Sequence, residues 1–90
     1  MGRPHKYYKV GYLPRFGSYK PEGCECYGCI EVTPEEIESL RLKNVENFDQ
    51  TKAAKRMGIS QSTFQRILAR AYKKVSKALI QGAEIRITKN

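Results

Sequence analysis

The spacing of apolar residues changes along this chain, and each change marks an element. From Met1 to about Gly23 no helical period holds. Tyr8-Lys9-Val10-Gly11-Tyr12 alternates weakly, as a short strand would, while Pro14, Gly17 and Pro21 break anything longer. From Pro34 to about Asn44 the pattern turns helical, with Ile37, Leu40 and then Val45 or Phe48 expected on the core face. A second helix is expected from Asp49, its cap, to Gly58, and a third from Ser60 to about Gln81. Projected at about 100° per residue, the third helix gathers Phe64, Ile67, Leu68, Ala71, Val75, Ala78 and Leu79 on one side. Ser62, Arg66, Arg70, Lys73 and Lys77 fall on the other. Glu84-Ile85-Arg86-Ile87-Thr88 alternates again and predicts a strand that pairs near Val10 or with a second chain.

The helix boundaries carry their own chemistry. Thr33-Pro34-Glu35-Glu36 reads as a capping box with proline in the first turn, and its acids suit the positive end of the helix dipole. Ser60 is an N-cap for the third helix, and Gly82 fits its C-terminus. The fold class expected is mainly α: a small helical bundle with an irregular amino-terminal segment and short terminal strands. Residues 1–32 read as a basic arm with a cysteine-containing segment, 33–82 as the helical domain and 83–90 as a strand or tail.

The run from Gln50 to Ala69 has the steric logic of a helix-turn-helix. Ala53 and Ala54 let two helices cross closely, Gly58 supplies a turn residue tolerant of positive φ, and Met57, Ile59, Phe64 and Ile67 fall where the pair must bury apolar surface. In such motifs the second helix enters the DNA major groove, where its first turns reach base edges and later turns meet phosphate. Gln61, Ser62, Gln65 and Arg66 are therefore the base-reading residues expected here, since glutamine can bond adenine and arginine guanine through two atoms. Ser60 and Thr63 are placed for phosphate or capping, and Arg70, Lys73, Thr51, Lys52 and Lys55 for phosphate.

Charge agrees with a polyanionic partner. The 90 residues carry a net charge of +8. Residues 1–20 hold five bases and no acid, 21–49 hold eight acids against Arg41 and Lys43, and 50–90 hold ten bases against Glu84. Arg3, beside Pro4 in the basic arm, is placed to enter a narrow minor groove. No stretch has the length of a membrane span and no secretory signal is visible, so a cytoplasmic location without membrane contact is expected. A single His and the lack of a glycine-rich phosphate loop argue against an enzyme.

All three cysteines lie within Cys24-Glu25-Cys26-Tyr27-Gly28-Cys29. Cys26 and Cys29 have the gap of a zinc knuckle, and His5 or a nearby glutamate would have to complete a closed site. Three alternatives stay open: a structural zinc on Cys24, Cys26 and Cys29, reduced thiols without metal, or a redox switch.

The run from Ala53 to Leu68 closely resembles a family of small bacterial and archaeal proteins predicted to bind DNA. Arg3-Pro4, Tyr19-Lys20-Pro21, Leu40-Arg41-Leu42, Lys74-Val75, Ala78-Leu79 and Gly82 share in the resemblance, which spans almost the whole chain. That family's helix-turn-helix is similar to region four of bacterial sigma factors, which reads promoter DNA through its last helix. Some members carry a domain similar to nitrogenase cofactor-binding proteins. The resemblance implies groove contacts at Ser60, Gln61, Ser62, Thr63, Gln65 and Arg66; the three-cysteine cluster departs from the family pattern. The function expected is a sequence-specific regulator of transcription, bound to double-stranded DNA as a homodimer because one such unit covers one half-site. The alternatives are a sigma-like adaptor that docks on RNA polymerase through the acidic helix at 35–46, and a DNA-binding module responsive to metal or redox state.

Overall fold

The computed structural model describes residues 17–23 and 28–88. Along the chain these form β1 (Ser18–Tyr19), β2 (Cys29–Val32), α1 (Pro34–Leu40), a π-helical continuation of α1 (Arg41–Val45), α2 (Gln50–Met57), α3 (Gln61–Gln81) and β3 (Glu84–Ile87). The class is mainly α, a small helical domain with a short three-stranded sheet.

Each helix starts where a short polar side chain can satisfy an otherwise orphaned amide. Thr33 Oγ1 accepts from Glu36 N at 3.2 Å while Glu36 Oε1 accepts from Thr33 N at 2.9 Å, so the capping box is reciprocal. Asp49 accepts from Lys52 N at 2.8 Å, and Ser60 Oγ from Thr63 N at 3.1 Å. The turn between α2 and α3 is closed by Gly58 at φ 71°, whose amide returns to Ala54 and Lys55. Glycine is favoured there because a Cβ is disfavoured in left-handed backbone.

The core forms where α2, α3 and the π-helical stretch converge. Leu42, Ala53, Ala54, Met57, Phe64 and Leu68 make one buried cluster, with Leu40, Phe48 and Ile59 partly buried against it. The two alanines leave room for close approach, as their spacing predicts. Phe48 packs on this cluster, whereas Val45 is 71% exposed. The cause is the wide turn: Glu46 N bonds Arg41 O and Phe48 N bonds Leu42 O, each at 2.9 Å. An extra residue in a helical turn rotates the residues after it away from their expected face. Asn47 then reverses the chain at φ 61°, a conformation asparagine tolerates better than most.

The inward face of α1 differs from the face its apolar residues predict. Glu35, Glu36, Glu38 and Ser39 are buried, while Ile37 and Leu40 are only half-buried. Glu36 is met by cations of α3, and Glu38 by Arg41 on the π-helical continuation of its own helix. Lys74 Nζ lies 2.9 Å from Glu36 Oε1, and Arg70 Nε lies 3.2 Å from Glu36 Oε2. Arg41 bonds Glu38 through two nitrogens, at 2.9 and 3.0 Å, and also reaches Glu46. On α3, Phe64, Ile67, Leu68, Ala71 and Ala78 are buried as projected. Val75 is only half-buried and Leu79 is 74% exposed, although Ala78 and Ala83 on either side of it are buried.

Gly82, at φ 72°, ends α3 and turns the chain into the sheet. Strand β3 is central, antiparallel to β1 and parallel to β2. Its expected pairing near Val10 lies outside the described residues; the partners seen are Ser18–Tyr19 and Cys29–Val32. Strand β2 leaves only a faint trace in the sequence, because the Ile30/Val32 alternation spans just two apolar positions beside the cysteines. The sheet ties the segment before α1 to the segment after α3, and Val32 and Ile87 are buried on it.

Candidate nucleic-acid interface

The first turns of α3 present a polar row built by the capping at Ser60 and the burial of Phe64, Ile67 and Leu68. With those three residues turned inward, helical geometry leaves Gln61, Ser62, Gln65 and Arg66 outward, and all four are exposed. Arg66 Nη2 reaches Thr63 Oγ1 at 3.4 Å, so its guanidinium lies along the helix surface. Thr63 is half-buried; its hydroxyl also accepts from Ser60 Oγ at 2.9 Å.

Two hydrogen bonds join this row to α2. Gln65 Nε2 donates to Gln50 Oε1 at 2.6 Å, and Thr51 Oγ1 donates to Gln61 Oε1 at 3.3 Å. Thr51 is thereby turned toward a residue expected to read bases. Lys52 is exposed and stands 4.3 Å above the Phe48 ring, which helps fix its ammonium without burying it. Arg56 approaches the same ring at 5.3 Å.

Further along α3, Lys73 is exposed and Arg70 is 60% exposed. Arg70 is not purely a surface cation, since its Nε is engaged by Glu36. Lys74 is the second cation on Glu36. The carboxyl of Glu36 is 1% exposed, and burial alone pushes its pKa up. The Thr33 amide, the hydrogen bonds from Lys74 and Arg70 and the charge of Lys74 outweigh that, and hold it below its ordinary value. Gln50, Lys74 and Glu36 are not legible as site residues in the sequence, because their partners lie 15 to 38 positions away in the chain. The only sequence signal is the block of acids set against a block of bases.

Arg3, His5, Cys24 and Cys26 lie outside the described residues. Cys29 is exposed at the start of β2. Among the described residues no group of three or more His, Cys, Asp or Glu is placed to hold a metal ion, and no helix is long and apolar enough to cross a membrane.

The chain is similar to proteins from both bacteria and archaea. The sequence profile described as "Protein of unknown function DUF134" matches residues 1–90. A UPF0251 protein of Desulforudis audaxviator is 46% identical over 89 residues, covering 97% of this chain and 58% of the relative. One from Halothermothrix orenii is 40% identical over 88 residues, covering 96% and 65%. One from Methanothermobacter thermautotrophicus is 38% identical over 85 residues, covering 94% and 45%. The chain thus spans about half to two thirds of the length of these relatives. No solved structure matches.

Proposed function

The chain belongs to the family described as Protein of unknown function DUF134, and from its geometry we propose that it is a sequence-specific, double-stranded DNA-binding regulator of transcription. The observation that carries this reading is the row Gln61, Ser62, Gln65 and Arg66, exposed on the first turns of a helix that is seated by a glycine turn against α2. Those four side chains can contact base edges in a major groove. Lys73, the free part of Arg70, Thr51 and Lys52 stand around them and suit phosphate. The net charge of +8 supplies long-range attraction to duplex DNA. Two copies of the chain, each reading a half-site, would give the usual specificity of such a unit.

The adaptor reading, docking on RNA polymerase, is less well supported. It relied on the acids of the helix at 35–46, and three of those four, Glu35, Glu36 and Glu38, are buried.

Arg66→Ala is expected to weaken specific binding by about 1–3 kcal/mol and to relax preference at one base position. Lys73→Ala is expected to weaken all sequences alike and to lower the salt slope by about one. Titrations of specific and random duplexes at several salt concentrations check both. Equal losses on the two duplexes for Arg66→Ala would remove its base-reading role.

A further inference from the structure

Resting on the DNA-binding reading above, we propose that Gln50 is a positioning residue that commits Gln65 to adenine. Gln65 is exposed on the second turn of α3, and its amide could point either way if nothing held it. Gln50, the first residue of α2, holds it: Gln65 Nε2 donates to Gln50 Oε1 at 2.6 Å.

The hydrogen inventory then restricts what Gln65 can read. A glutamine amide has two N–H donors and one oxygen with two lone pairs. One N–H is spent on Gln50. One N–H and the oxygen remain, side by side, for a base edge. In the major groove adenine offers an acceptor at N7 next to a donor at N6, which is the matching pair. Guanine offers two acceptors, N7 and O6, and needs two donors from one side chain. Gln65 with one N–H committed has a single donor left, so guanine leaves the amide oxygen facing an acceptor. Cytosine presents its N4 donor without a neighbouring N7, and thymine an acceptor with a methyl group. The contact between α2 and α3 therefore converts an ambiguous amide into an adenine reader, and Gln50 does so without touching the base.

The test is base preference in selected duplexes, measured with full-length protein. Wild type is expected to prefer adenine at one position by about tenfold or more over the other bases. Gln65→Met should abolish that preference at the same position. Gln50→Met keeps the side-chain length but removes the acceptor; it should cut the preference to about threefold or less, with melting temperature and preference at other positions unchanged. Gln50→Glu restores an acceptor for Gln65 Nε2 and should restore the adenine preference, even though its charge beside the phosphates weakens binding to every sequence. A merely structural Gln50 would move affinity and melting together and leave the base ratio alone. An unchanged adenine ratio in Gln50→Met, or a Gln65-dependent position that prefers guanine or a pyrimidine, overturns the inference while leaving DNA binding intact. Wild type with no enriched sequence overturns the inference together with the reading on which it rests.

Discussion

Phe64→Ala is expected to lower the stability of this domain by about 3–5 kcal/mol. Phe64 is fully buried between Leu42, Ala53, Ala54, Met57 and Leu68, and the alanines beside it cannot fill the space an aromatic ring leaves. The loss combines lost transfer free energy with a cavity that the close-packed neighbours cannot collapse. For a domain of this size each kcal/mol lowers the melting temperature by about 4–8 °C, so a fall of roughly 12–40 °C is expected. Thermal unfolding followed by circular dichroism checks it; a fall of only a few degrees would mean that α2 and α3 are not held by this cluster. The substitution should also abolish DNA binding well below the melting point of the wild type, because Phe64 seats the turns that carry Gln61, Gln65 and Arg66.

The second large effect depends on pH. Glu36→Gln is expected to destabilise the fold by about 2–3 kcal/mol near neutral pH. The figure lies below that for a fully buried ion pair because Arg70 and Lys74 keep 60% and 31% of their side chains exposed. Glu36 has a folded pKa below its ordinary value. A carboxyl of that kind contributes stability above its unfolded pKa, about 4.3, and loses that contribution as the pH falls through the lower folded value. The difference in stability between wild type and Glu36→Gln should therefore be constant above about pH 5.5 and shrink as acid is added. Denaturant titrations at a series of pH values measure that difference. A gap that widens in acid would contradict the assignment of Glu36 as an ionised link between α1 and α3.

Much of this arrangement was legible in the chain. Caps at Thr33, Asp49 and Ser60, the turn at Gly58 and the stop at Gly82 are short-range features, and each appears where its residue type requires it. The apolar stripe of α3 was legible for the same reason, as far as Ala78. Leu79 was not, because a projection gathers residues over a wide arc and does not show which part of that arc the neighbouring elements cover. The burial of Glu36 was hidden because a glutamate near a helix start is as well explained by the dipole as by a distant cation, here Arg70 and Lys74. Spacing left Val45 and Phe48 as alternatives for the core face, and the π turn, which no local spacing announces, places Phe48 there. The exposed row on α3 was legible in full, yet Gln50, which holds Gln65, could be seen only after α2 and α3 were set against each other. Arg3, His5, Cys24 and Cys26 fall outside the described residues, and their proposed roles at a minor groove or a zinc ion rest on the sequence alone.

The proposed DNA binding requires that the first turns of α3 read duplex bases. Selection from a pool of random duplexes with the purified protein tests it most directly. Enrichment of a short motif is expected, with binding that weakens steeply as salt rises and a base position lost in Arg66→Ala. Recovery of the starting pool without enrichment, from protein shown to be folded, would contradict it.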